Sequence, residues 1–202
     1  MKRITLLSFI ILLSIGTFAQ NWNSISNVKP TAPSIELVSS NANEISVSFH
    51  LNGYFTQAVE TQHGQEFIVS VPEMVSQLEA GSPDLPMASI PLIIGDLDNM
   101  EVHVAKLNYT DIEDIAIAPS KGNLSRQVNP DEVPFSYGTM YGNDAFYPTE
   151  QALLDVPYIL RDFRGQNILV KPFAYNPVTK TLRVFHPFRV KRSRSISSVL
   201  MI

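Results

Sequence analysis

Residues 168–190 read ILVKPFAYNPVTKTLRVFHPFRV, and this stretch decides the fold class. Two runs rich in β-branched and aromatic residues, 168–175 and 181–190, flank the five residues NPVTK, whose composition is typical of a turn. Alternation along the second run places one set of side chains on a common face: Leu182, Val184, His186, Phe188 and Val190. The stretch therefore predicts an antiparallel hairpin, with His186 as a hydrogen-bonded histidine of the core.

The same period-two pattern continues outward from this hairpin. Ile45, Val47, Phe49 and Leu51 alternate with polar residues, and strands are also predicted over 67–71, 101–109 and 112–118. Three prolines within 81–98 preclude a helix there, and only 149–154 offers a short helical turn. No repeat or heptad is visible. We therefore predict an all-β fold, a β-sandwich over 35–190 with one or two short helices.

The amino terminus has the pattern of an export signal. Lys2 and Arg3 give a basic start, an apolar run follows as far as Phe18, and Thr17-Phe18-Ala19 supplies small residues at a cleavage site. The apolar run is too short to span a bilayer comfortably. The pattern predicts a signal peptide over 1–19, cleavage between Ala19 and Gln20, a secreted or periplasmic chain, and no stable membrane insertion after cleavage.

Two further segments border the predicted sandwich. Residues 20–34 are rich in Asn, Ser, Thr and Pro, a composition that favours turns, and we predict a flexible leader. Residues 191–202 form a basic and polar tail, in which Arg192 and Arg194 are candidate processing sites.

The composition excludes several classes of function. The chain has 202 residues, no cysteine, 15 Lys and Arg against 19 Asp and Glu, and a net charge of −4. Thiol catalysis, disulfides and thiolate metal sites are therefore excluded, and the acidity argues against nucleic acid and anionic membranes as partners. The four histidines lack the spacing of a metal site, so we expect no metal and no cofactor. We expect a monomer when the chain is free.

A long polar connection, residues 119–131, carries the one side chain that suggests binding. Arg126 lies in its middle, preceded by Leu124 and Ser125 and followed by Gln127. Unstructured loops of this length are uncommon and often functional, and an exposed arginine can enter an acidic pocket of a partner. The alternative is an ordinary surface arginine with no binding role.

Five segments carry a resemblance to a known family: IAPSKG (117–122), SR (125–126), NPD (129–131), ILRDFRGQ (159–166) and YNPVTKTLR (175–183). In this order and spacing they resemble the N-terminal propeptide of the gingipain cysteine endopeptidases, peptidase family C25, and the arginine-specific branch in particular. The resemblance implies a β-sandwich prodomain that keeps a cysteine endopeptidase latent, assists its folding, and is removed by cleavage after basic residues. The expected partner is the catalytic domain of such a protease.

With this resemblance, Arg126 becomes a candidate for the inhibitory role; the alternative is a surface arginine, with inhibition carried by broad contact between the two domains. A protease that cleaves after arginine has an acidic S1 pocket, and an arginine offered on a loop would occupy that pocket as a substrate does. Leu124, Ser125 and Gln127 would complete the inhibitory loop. Because the chain has no cysteine, we expect a regulator without catalytic activity, either a stand-alone inhibitor or part of an interrupted precursor.

Three other cations are secondary candidates for contact with the protease. Lys121 lies in the same connection and could serve a lysine-specific relative, while Arg161 and Arg164 belong to a predicted turn. The alternative for the two arginines is a structural ion-pair network with Asp162.

A second class of function remains open from the sequence. The chain could be a secreted adhesion or carbohydrate-binding module, for which a cluster of aromatic residues would form a sugar platform: Tyr137, Tyr141, Phe146 and Tyr147. The alternative for this cluster is that it closes one end of the core. An independent hydrolase has no candidate nucleophile or acid-base pair.

Overall fold

The computed structural model describes residues 20–41, 44–96 and 99–194. It contains thirteen strands: β1 (Gln20–Ser24), β2 (Ser34–Ser40), β3 (Glu44–His50), β4 (Gly53–Thr61), β5 (Gly64–Ser70), β6 (Val75–Ser76), β7 (Pro86–Ile94), β8 (Met100–Ile112), β9 (Ala152–Leu154), β10 (Tyr158–Leu160), β11 (Phe163–Val170), β12 (Phe173–Asn176) and β13 (Thr181–Arg194). Two short 3-10 helices span Pro130–Glu132 and Thr139–Gly142. The predicted all-β class with one or two short helices is confirmed.

The strands form three antiparallel sheets. The first has the order β1-β4-β5, and the second has the order β10-β11-β7-β6 with β9 also paired to β11. The third has the order β12-β13-β3-β2, and β8 lies along the other edge of β13. Buried apolar side chains from all three sheets meet in one core, which includes Phe49, Val69, Ile168, Phe173 and Leu182.

The predicted hairpin divides between two sheets. Its turn is where the sequence places it, because Asn176 pairs with Thr181 and the Asn176 side chain accepts a 3.0 Å hydrogen bond from the Val178 amide. The first predicted run, however, is β11 followed by β12, which belong to different sheets. Lys171 and Pro172 separate them, since proline has no amide to donate to a ladder.

The face of β13 that was predicted to be apolar is largely in the core. Leu182 and Val184 are buried, and Val190 is buried beyond an irregularity in register between Phe185 and Phe188. His186 lies at this irregularity and is half-buried, with its Nε2 3.3 Å from Thr110 Oγ1. The expected hydrogen bond is present, but the ring lies at the margin of the core.

Three sequence predictions about individual segments are wrong, two at the borders of the predicted sandwich and one inside it. The leader 20–34 is not flexible throughout, because β1 pairs with β4 and the Trp22 ring packs edge-on against Phe55 with 5.0 Å between centroids. The basic tail does not begin at 191, because β13 continues through Arg194 between β3 and β8. The segment 149–154 contains β9 instead of a helical turn, since its backbone completes the edge of β11.

The predicted signal peptide, including Ala19, lies outside the described residues, as do residues 195–202 of the tail. Within the described ranges, no helix is both long enough and apolar enough to cross a membrane.

Candidate inhibitory loop

The connection between Pro119 and Phe135 is the candidate inhibitory loop, and it is fixed to the core at its start. Ser120 is buried, its amide donates to the carbonyl of Ser82 at 2.7 Å, and its carbonyl accepts from the amide of Gly81 at 3.0 Å. Pro119 forms an isolated bridge with Pro83. The start of the loop is therefore held in place by the segment that contains Gly81 and Ser82.

Lys121 joins the two sides of the loop. Its ammonium donates a 2.8 Å hydrogen bond to the carbonyl of Pro130 and stands 4.3 Å from the centroid of the Phe135 ring. The next residue, Gly122, has a φ of +81°, and a Cβ there would lie 2.9 Å from the Cβ of Ala80. Glycine is needed at this position because both the conformation and the close approach disfavour a side chain.

The far side of the loop is ordered by a capped helical turn. Asn129 is the N-cap of the 3-10 helix Pro130–Glu132, and its Oδ1 accepts from the Asp131 amide at 3.2 Å. Its Nδ2 donates to the Glu132 carboxylate at 3.2 Å. Such a cap satisfies backbone donors that a helix start would otherwise leave open.

Between these two supports the chain forms a turn with Arg126 at its tip. The Val128 amide donates to the Ser125 carbonyl at 3.0 Å, which closes a β-turn around Arg126 and Gln127. Ser125, Arg126 and Gln127 are exposed, whereas Leu124 is half-buried and lines an open groove beside the loop. Among the described residues, Arg126 makes no hydrogen bond or ion pair. Its guanidinium is thus presented to solvent on a supported turn.

The other candidate cations are engaged or lie elsewhere. Lys121 is half-buried and holds the loop, so its amine is not presented as that of Arg126 is. Arg164 donates to the backbone carbonyl of Asp96 at 2.6 Å and so ties β11 to the end of β7. Arg161 lies in the two-residue turn between β10 and β11 with a φ of +54°, and it is exposed. The predicted turn is present.

The candidate processing arginines lie within β13. Arg192 is 6% exposed, and its backbone is flanked by β3 and β8, so a protease could reach its peptide bond only after this part of the sheet opens. Arg194 pairs with Met100 at the end of the same strand. Gln20, the residue after the predicted signal cleavage, is exposed at the start of β1.

The aromatic cluster packs into the molecule. The Tyr137 ring stacks on His63 at 4.1 Å, its hydroxyl donates to Glu66 at 2.5 Å, and the Tyr141 hydroxyl donates to the carbonyl of Ile117 at 2.8 Å. Phe146 is covered by the guanidinium of Arg183, and the Tyr147 hydroxyl donates to Glu79. These rings do not form the flat exposed platform of the carbohydrate-binding alternative; they close the core.

Burial and neighbouring carboxylates together raise the pKa values of two of these tyrosines. Burial, with a further contribution from Glu66, raises the pKa of Tyr137 to about 12. Burial likewise raises the pKa of Tyr147 to about 12, with Glu79 as a smaller cause. Both phenols are therefore neutral donors at ordinary pH. No group of three or more metal-ligating side chains is found in the described part of the chain.

Sequence analysis missed two features of this region. Glu66 is only 6% exposed, although it lies on the face of β5 opposite to Phe67 and Val69. The segment that carries Tyr137 covers it. The contact between Lys121 and Phe135 was also missed, because their separation of fourteen residues follows no helical or strand period. No local signal in the sequence indicates either contact.

Comparisons with known proteins agree with this architecture. The family model Propeptide_C25 matches residues 26–197. Gingipain R2 of Porphyromonas gingivalis (strain ATCC BAA-308 / W83) is 39% identical over 153 residues, which are 76% of this chain and 21% of that protein. Lys-gingipain HG66 of Porphyromonas gingivalis is 26% identical over 203 residues, which are 96% of this chain and 11% of that protein. The chain thus spans about a fifth or less of the length of these relatives.

Two solved structures have a similar fold. "Complex of Porphyromonas gingivalis RgpB pro- and mature domains" superposes with a TM-score of 0.79 and 37% identity, covering 82% of this chain and 86% of the matched chain. "Structural insight into zymogenic latency of gingipain K from Porphyromonas gingivalis" superposes with a TM-score of 0.73, covering 88% of this chain and 99% of that one. Its identity is 19%, so this second likeness concerns the fold alone.

The all-β fold and the match to propeptides define the class of protein, a regulatory prodomain. The chain belongs to the Propeptide_C25 family, the propeptides of the gingipains. Its identity to Gingipain R2 exceeds its identity to Lys-gingipain HG66, so the predicted resemblance to the arginine-specific branch is confirmed.

Proposed function

We propose that this prodomain keeps a gingipain-type cysteine endopeptidase latent by placing Arg126 in the S1 pocket of the catalytic domain. The observation that carries the proposal is the position of Arg126 at the exposed tip of a closed turn, with both sides of the loop fixed. The likeness to a pro- and mature-domain complex supports a catalytic domain as the partner.

The chemistry of arginine fits this role. A guanidinium presents five donors in a planar fork, so it can bind a carboxylate in a pocket through two parallel hydrogen bonds. A turn that is already ordered loses little conformational entropy when it binds. Inhibition then requires that the bond after Arg126 is cleaved slowly, or that the clipped loop leaves slowly.

The test is the inhibition constant of the purified chain against the catalytic domain of an arginine-specific gingipain. Arg126→Ala should raise the inhibition constant about 30- to 150-fold, as expected for losing ~2–3 kcal/mol of charge-assisted hydrogen bonding. The inhibition constant of Arg126→Lys should lie between those of the parent chain and Arg126→Ala, because lysine offers a single charged group without the planar fork.

Arg189→Ala is the control, because Arg189 is also an exposed arginine but lies on β13, outside the loop. It should leave the inhibition constant unchanged. An unchanged constant for Arg126→Ala, or equal losses for the two alanine variants, would contradict the proposal and favour inhibition by broad surface contact.

We also propose that the prodomain assists the folding of the catalytic domain and that the chain is exported. The family resemblance supports a role in assisting the folding of the catalytic domain. The order of basic, apolar and small residues in 1–19 supports export, so the site of action would be secreted or periplasmic.

A further inference from the structure

A hydrogen bond that does not involve Arg126 joins the two sides of the inhibitory loop. Lys121 and Pro130 lie on opposite sides of the Arg126 turn, and the hydrogen bond between the Lys121 ammonium and the Pro130 carbonyl closes a ring of ten residues around it. The Phe135 ring lies beneath the same ammonium. We call these three residues the loop clasp.

Charge pairing does not explain the position of Lys121. Asp131 and Glu132 follow Pro130 directly, yet no carboxylate of the described residues lies within 4.0 Å of the Lys121 ammonium. The amine instead contacts a neutral carbonyl and an aromatic face, which together fix both its distance and its direction. Holding a long, flexible lysine side chain in one conformation costs side-chain entropy. The two contacts of the ammonium offset this cost and restrain the loop.

The supports on either side make the clasp effective. Ser120 is held by the segment containing Gly81 and Ser82, and Asn129 caps the helical turn beyond the tip. Between these two supports, residues 123–128 are held by the hydrogen bond from Val128 to Ser125 and by the half-buried side chain of Leu124. Closing the ring at Lys121 and Pro130 thus limits how far Ser125 and Val128 can separate.

We propose that Lys121 is a positioning residue that keeps the inhibitory loop in its bound shape before and after cleavage. This inference rests on the proposed function. Hydrolysis of the Arg126–Gln127 bond consumes one water and produces the carboxylate of Arg126 and the amino group of Gln127. The clasp keeps these two new ends close, so the clipped loop stays in the pocket and the reverse condensation, which releases the water, competes with dissociation.

The test compares Lys121→Met with Lys121→Arg. Methionine keeps an unbranched apolar side chain but has no donor and no charge, whereas arginine keeps both. With the arginine-specific catalytic domain, Lys121→Met should weaken inhibition about tenfold, as for loss of one charge-assisted hydrogen bond. Mass spectrometry should show faster cleavage after Arg126. Lys121→Arg should keep the inhibition constant and the rate of cleavage after Arg126 near those of the parent chain. Lys29→Met, a change at an exposed lysine outside the loop, should alter neither quantity.

A second measurement does not depend on the proposed partner. Limited digestion of the free chain with trypsin reports how readily the turn opens, because trypsin must draw the chain around Arg126 into an extended form. Cleavage at Arg126, identified by mass, should be faster in Lys121→Met than in the parent chain. Phe135→Leu removes only the aromatic contact and should act in the same direction, which covers the case that Lys121→Met fails to fold.

The outcomes separate the two ideas. If Arg126→Ala does not weaken inhibition, the proposed function fails, whereas faster tryptic cleavage of Lys121→Met would still support the clasp. If Arg126→Ala weakens inhibition but Lys121→Met and Phe135→Leu match the parent chain in both assays, the clasp is wrong and the proposed function stands.

Discussion

Arg183 shows at the scale of one residue how this cysteine-free chain is held together. Its Nε and Nη2 each donate a 2.8 Å hydrogen bond to the Asp111 carboxylate. Its guanidinium carbon lies 3.9 Å from the centroid of the Tyr109 ring and 4.0 Å from that of Phe146. Hydrogen bonding to Arg183 holds the pKa of the Asp111 carboxyl below its usual value. One side chain thus joins β8 and β13 to the segment that leads to β9.

We expect Arg183→Met to lower the free energy of unfolding by about 1–2 kcal/mol, because it removes a bidentate ion pair and two cation–π contacts at a partly exposed site. Chemical denaturation followed by tryptophan fluorescence measures the change. Arg189→Met is the control, because Arg189 is exposed on the same strand. A loss no larger than that of the control would mean that the Arg183 cluster contributes nothing beyond surface packing.

At the scale of one element, β1 decides whether the predicted leader is ordered. Its five residues pair with β4 in continuous register, and Trp22 lies opposite Phe55. The Trp22 indole also donates a 3.0 Å hydrogen bond to the carbonyl of Asn27, which fixes the chain just beyond the strand. The Asn-rich composition favours turns, but an aromatic pair across two strands stabilises the ladder against this preference.

We expect Trp22→Ala to release β1 from the edge of the first sheet. Loss of a half-buried indole should cost about 2 kcal/mol, less than for a fully buried one. Amide hydrogen exchange should accelerate over 20–24 and in the facing part of β4, with little change in β13. Asn21→Ala, at an exposed neighbouring position, should leave these exchange rates unaltered. Protected amides in β1 of the Trp22 variant would show that the backbone ladder alone holds the strand.

The elements of the predicted hairpin show which part of a local prediction survives folding. The Asn-Pro turn and the alternation of β13 are local properties of the backbone and side chains, so the sequence reveals them. The change of sheet between Val170 and Phe173 depends on which strands lie on each side. Pro172 indicates a break but does not indicate the partners: β11 joins β7, whereas β12 joins β13.

Across the whole molecule, stability must come from the shared core and the strand ladders, because a chain without cysteine can form no disulfide. The three sheets are linked by short contacts between segments, such as the parallel bridge between Phe67 and Ile117 and the bridge between Tyr147 and Tyr175. Asp84 lies at one of these junctions, where its amide donates to the carbonyl of Ala118 at 3.0 Å. Its carboxylate accepts a hydrogen bond from Ser76.

Asp84 makes the global stability depend on pH. Burial raises the pKa of its carboxyl, and the Ser76 hydrogen bond only partly offsets this effect. The folded state therefore holds this proton more tightly than the unfolded state, and ionisation at neutral pH costs stability. We expect Asp84→Asn, which keeps an acceptor for Ser76, to raise Tm at pH 7. The gain should shrink as the pH falls through the pKa of the folded state, where Asp84 itself becomes neutral.

Thermal unfolding of the two chains between pH 7 and pH 3 measures this effect. Asp96→Asn is a suitable control, because Asp96 is exposed. A gain for Asp84→Asn that stays constant over the whole range would contradict ionisation as its cause.

By itself, the sequence determined the all-β class, the turn of the last hairpin, the polar connection carrying Arg126, and the absence of a thiol nucleophile. Each of these follows from composition or from a short local pattern. Only the tertiary structure decided that β1 is ordered, that Glu66 and Arg192 are buried, and that Lys121 closes the loop around Arg126. The physical reason is that alternation specifies two faces of a strand, whereas burial of the second face and the partner of a charged side chain depend on segments distant in sequence.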